Sequence, residues 1–149
     1  MKFKILAGNL LILWIVFGMP TRTAAQVEKT FHQVVAADEI YILNFLLNED
    51  YEVVTWSGNT VLIEGIIQLS CCDQNMLSHI IKTGRYDLTI DNATDVVSIG
   101  SKKRPPLTIK GLQCQERVKF KISVPESYDM VAKNQCLLRD SPVWAAKKQ

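Results

Sequence analysis

The run from Tyr51 to Leu69, YEVVTWSGNTVLIEGIIQL, constrains the fold more than any other part of the chain. Two segments rich in Val, Ile, Leu and Trp flank Ser57-Gly58-Asn59-Thr60, and their length and β-branched content read as strands. Gly and Asn accept positive φ at little steric cost, so Gly58-Asn59 reads as the two-residue loop of a tight β-hairpin. That register sets Trp56 opposite Val61 and Val54 opposite Ile63. A three-residue loop would place Glu52 opposite Glu64, a like-charge pair, and the two-residue register is preferred. Large apolar groups on both faces predict a hairpin central in its sheet and covered on each side.

The ends of the chain bound its setting. Met1-Lys2-Phe3-Lys4 is a short basic head, Ile5 to Met19 an apolar run, and Thr23-Ala24-Ala25 a small-residue site. Together they read as a secretory signal peptide over residues 1–25, cut after Ala25. The apolar run is shorter than the roughly 20 residues needed to span a bilayer and is broken by Gly8, Asn9 and Gly18. No later segment has spanning length, so no membrane span is expected after cleavage, and the product is placed outside the cytoplasm, secreted or periplasmic. Cleavage takes Lys2, Lys4 and Arg22 from the 17 basic residues, leaving 14 against 15 acidic. The excess of positive charge belongs to the leader, and no long-range attraction to nucleic acid is expected. Export also carries Cys71, Cys72, Cys114 and Cys136 into an oxidising space, where they have three complete pairings open to them besides remaining free.

Residues 26–133 read as one β-rich domain. Strand-sized runs alternate with turn clusters: Val27 to Ala36, Ile40 to Phe45, the central run, Tyr86 to Ile90, Val96 to Ile99 and Leu107 to Ile109. Val118-Lys119-Phe120-Lys121-Ile122-Ser123-Val124 alternates most clearly, with Pro125 stopping it and Tyr128 to Ala132 adding a last strand. One segment changes period. Asp73 caps a helix predicted from about Gln74 to Thr83, Met76, Leu77, Ile80 and Ile81 form its apolar stripe, and Gly84 lets the chain leave. Beyond Lys133 the pattern is lost, and residues 134–149 read as a loosely structured tail despite Trp144. The fold class is all-β, an antiparallel two-layer β-sandwich-like domain with one short α-helix, with the start of a β-solenoid as the alternative.

The segments VVTWSGNTVLIEG, GRYDLTI after a short helix, and KFKISVPESYDMVAKN occur in an order that resembles a bacterial envelope-associated family of unknown function, described as β-strand-repeat or adhesin-head domains. The likeness covers roughly Phe31 to Asn134. It implies an envelope location and an adhesin-like structural or binding role, with another envelope protein or a surface ligand as partner. In that family the Val-Pro strand leads into Gly-punctuated repeats that form a solenoid. Here it leads into Asn134-Gln135-Cys136, so the solenoid is expected to be missing. A weaker likeness, TVLIEG followed by an F-x-x-x-V-P segment, is to the α-crystallin sandwich of small heat-shock proteins. It implies a chaperone-like module that binds clients at an edge strand.

Chemistry is harder to find. His79 lies seven positions after Cys72, so Cys71, Cys72, His79 and Cys114 can be imagined around zinc, but adjacent cysteines are not a zinc-ligand spacing. His32 falls in the first strand. No Gly-x-Ser-x-Gly elbow and no phosphate-cradling Gly loop occurs, and Glu49-Asp50 sits in a turn where its charge is solvated. Lys102-Lys103-Arg104 before Pro105-Pro106 reads as a solvated loop, and Asn92-Ala93-Thr94 is a glycosylation sequon discounted for a bacterial leader. The expectation is a non-catalytic module, with no catalytic, cofactor-binding or metal-ligating residue assigned and no cofactor.

Overall fold

Two mixed sheets face each other in a computed structural model that describes residues 26–38 and 40–149. The predicted leader lies outside these residues. One sheet has four strands in the spatial order β1 (Val27–Ala36), β4 (Thr60–Leu69), β9 (Glu116–Pro125) and β3 (Asp50–Trp56). The other has five, in the order β10 (Tyr128–Ala132), β11 (Gln135–Leu138), β2 (Ile42–Leu46), β6 (Val96–Gly100) and β5 (Thr89–Asn92). A small hairpin, β7 (Thr108–Ile109) with β8 (Leu112–Gln113), stands apart.

Period-two alternation gives each sheet one apolar face, and the two faces make the core. Val61, Ile63, Ile67 and Leu69 of β4 and Val118, Phe120, Ile122 and Val124 of β9 supply one side. Leu43 and Phe45 of β2, Val97 and Ile99 of β6 and Cys136 of β11 supply the other. The fold is therefore an all-β, two-layer sandwich-like domain with one short helix packed on the core. Two pairings, β3 with β9 and β2 with β6, are parallel, and the remaining ones are antiparallel.

The expected central hairpin is not formed. β9 runs between β3 and β4, parallel to the first and antiparallel to the second. Trp56 lies opposite Pro125 rather than Val61, and Val54 opposite Ser123 rather than Ile63. Charge explains why the inserted strand fits. Glu52 and Glu64, which a three-residue hairpin loop would set against each other, each instead lie opposite Lys121. β4 is central as expected, but β3 is an edge strand. The loop at Ser57–Asn59 crosses the end of β9 with neither Gly58 nor Asn59 in the left-handed region. Its glycine is required for another reason, since a Cβ on Gly58 would overlap the Trp56 ring. Trp56 Nε1 donates to the Thr60 carbonyl at 2.8 Å and ties the two sides of the crossing together. A two-residue turn with both residues at positive φ does occur, at Lys110-Gly111 between β7 and β8.

Helix α1 (Gln74–Lys82) forms where its cap and stripe predict. The Asp73 carboxylate accepts from the Met76 N–H at 2.8 Å, Leu77 and Ile80 are buried, and Gly84 leaves the helix at φ 74°. The segment beyond Lys133 is more ordered than expected. β11 lies inside its sheet, with Cys136 and Leu137 buried on opposite faces, and a short helix α2 (Pro142–Lys147) rests against it. Four residues buried on both faces carry no readable alternation, which is why sequence pattern misses β11. No helix among the described residues is long and apolar enough to cross a membrane.

Candidate functional site

Two regions of the domain hold polar chemistry or open surface. The first is a partly buried ionic cluster at one end of the sandwich. Arg85, in the turn after α1, forks onto Glu116 of β9, with Nε donating to Oε1 at 3.1 Å and Nη2 to Oε2 at 3.0 Å. The same Nη2 donates to the Pro105 carbonyl at 2.6 Å. Arg104 pairs with Glu49, whose other oxygen accepts from the Ser101 hydroxyl. Between these pairs lies Tyr86, fully buried, with the Arg104 guanidinium 5.4 Å and the Arg85 guanidinium 6.0 Å from its ring centre. Burial pushes the Tyr86 hydroxyl up from its ordinary range, and it completes no hydrogen bond among the described residues. Burial is the largest single influence on the Glu116 carboxyl and would raise it, but hydrogen bonding and the positive charges of Arg85 and Arg104 together hold the group below the usual carboxylate range.

In this cluster each partly buried guanidinium is neutralised by one carboxylate, and the pairs fasten the turn before β5 and the 101–106 loop to the sandwich. Arg104 is thus structural rather than a solvated loop residue, and Glu49 is its partner rather than a free turn charge. Lys102 and Lys103 remain exposed beside a shallow hollow of about 690 Å³ that Asn48, Glu49, Asp50 and Arg117 also line. Arg85 and Glu116 are 31 residues apart, and Arg104 and Glu49 are 55 apart. Such separations leave no local spacing in the sequence, which is why the cluster is not legible there.

The residues considered earlier for chemistry are dispersed. His32 is exposed on β1 with Nε2 3.3 Å from Glu64 Oε1, while His79 is exposed on α1. Cys71 and Cys114 form a disulfide with Cα atoms 5.2 Å apart, and Cys72 and Cys136 are free. Burial, and then the charge of Asp73, raise the Cys72 thiol, and burial pushes Cys136 up to about 11. Neither free thiol is thereby activated as a nucleophile. Among the described residues, no three His, Cys, Asp or Glu side chains converge to hold a metal ion. Asn92, Ala93 and Thr94 are exposed at the end of β5.

The second region is the face of the four-stranded sheet turned away from the core. Strand register orders its side chains into transverse rows. One row reads His32, Glu64, Lys121, Glu52 across β1, β4, β9 and β3, alternating in charge when His32 is protonated. The next reads Val34, Leu62, Ser123, Val54 and is mostly apolar. All the β1 residues of this face are exposed, Val34 by 62%. A hollow on this face spans β4, β9 and β3, lined by Asp50, Glu52, Lys119 and Lys121 together with Tyr51, Ile66 and Phe120.

Fold and surface together define a disulfide-bonded, two-layer mixed β domain with an outer face of alternating charged and apolar rows. Comparison of the chain with protein-family models, with curated proteins and with solved structures found no match.

Proposed function

We propose that the protein is a non-catalytic module of the bacterial cell envelope, exported and then used as a structural or binding element whose partner is another envelope protein or a surface ligand. The carrying observation is that the partly buried charged side chains Arg85, Glu116, Arg104 and Glu49 are paired with each other as fasteners of loops to strands. Groups kept for chemistry need an unpaired base or nucleophile at a concave site. Here the open surface is instead an outer sheet face and solvent-facing loops, which suits recognition of another surface. The Cys71–Cys114 disulfide supports placement in an oxidising compartment. The alternative, a chaperone-like module, calls for an apolar groove along an edge strand. The exposed acids Asp50 and Glu52 on the edge strand β3 weigh against it.

Two measurements on one preparation test this reading. The chain, expressed with its own leader in a bacterial host, should be recovered outside the cytoplasm beginning at Gln26, and should bind washed envelope fractions saturably. It should leave the aggregation of an unfolded client protein unchanged at equimolar ratio. Cytoplasmic retention, or envelope binding that never saturates, contradicts the module reading, and suppressed aggregation favours the chaperone.

A further inference from the structure

The charged row on the outer face of the four-stranded sheet complements itself when reversed. We propose that two copies of the chain associate through this face, about a two-fold axis running along the strands between β4 and β9. In such an interface, a residue that meets a second residue on the partner is met by it in return. An axis in this position sets each row against the same row of the other copy with its order reversed. Glu64 then meets Lys121 of the partner subunit, and His32 meets Glu52 of the partner subunit. The neighbouring row brings Val34 against Val54 of the partner subunit and withdraws from water a side chain that is 62% exposed in the single chain.

Other arrangements of the same face are disfavoured by the same charges. An axis across the strands, through the charged row, would set Lys121 on Lys121 of the partner subunit and Glu64 on Glu64 of the partner subunit. Complementary charge of this kind fixes orientation and excludes wrong registers more than it adds affinity, while the apolar row supplies the burial. Four strands about 4.8 Å apart and roughly 30 Å long present a face close to the roughly 600 Å² per partner at which specific interfaces begin. The dimer is therefore of moderate strength and dissociates on dilution.

The test uses two charge reversals in the full chain, Lys121→Glu and Glu64→Lys, followed by sedimentation velocity at on the order of 100 µM, above the micromolar dissociation constants common for small interfaces. Wild-type protein should sediment as a dimer. Each variant alone should be monomeric, with its dissociation constant raised at least about tenfold by the facing like charges. An equimolar mixture should recover dimers, because Lys121→Glu chains then face Glu64→Lys chains with opposite charges. Circular dichroism spectra matching wild type keep the comparison free of folding effects. Monomeric wild-type protein overturns the proposal. So do variants that stay dimeric, which would place the contact on another surface such as an edge strand, and so does a mixture that stays monomeric.

Discussion

Gly58 shows how a residue can be required for a reason other than the one its type advertises. Its φ lies outside the left-handed region, and the constraint is the Trp56 ring packed where a Cβ would go. Gly58→Val should therefore cost about 1–3 kcal/mol through overpacking, and Trp56→Ala in the same chain should relieve part of that penalty. Equal penalties in the two backgrounds, read by denaturant titration, would show that the ring is not the obstacle. Glu116 gives a pH signature. Its folded pKa is depressed from 4.5, so its contribution to stability is present above the ordinary value and is lost as pH falls through the folded value. Glu116→Gln should be less stable than wild type at pH 7, and the gap should close on acidification below about pH 4.5. A gap of constant size down to pH 3 would mean that the Arg85 pair contributes nothing specific.

Elements were legible in the sequence to the extent that they are long and patterned. β4, β9 and α1 could be drawn from alternation, a capping Asp73 and an exit Gly84, because those signals lie within a few residues of each other. Pairing was not legible. The insertion of β9 between β3 and β4 sets Lys121 between Glu52 and Glu64, charges far apart in the chain. β11 was missed for want of length, although Leu137 is only 1% exposed. Leu137→Ala should accordingly cost about 2–5 kcal/mol, as for other buried leucines. A cost near zero would return residues 134–149 to a loose tail. The ionic cluster around Tyr86 escaped notice for the same reason as the pairing. Its members come from four separate segments, and only the fold collects them.

At the scale of the whole molecule, the sandwich is held by its two apolar faces and by one covalent link. The Cys71–Cys114 bridge closes a sequence separation of 43, joining the start of α1 to the approach to β9. By loop-closure entropy, the Cys71→Ser, Cys114→Ser double variant should lose about 4 kcal/mol, measured under non-reducing conditions. An unchanged denaturation midpoint would mean that the bridge does not constrain the unfolded chain. Everything else described here, from the core and the alternating row to the proposed two-fold face, depends on β9 lying between β3 and β4. Nuclear Overhauser contacts between backbone protons measure that placement directly. The predicted result is contact from Ile122 both to Ile63 of β4 and to Val53 of β3. Contacts joining Val54 to Ile63 and Trp56 to Val61, with none from Ile122 to Val53, would restore the hairpin and contradict this architecture.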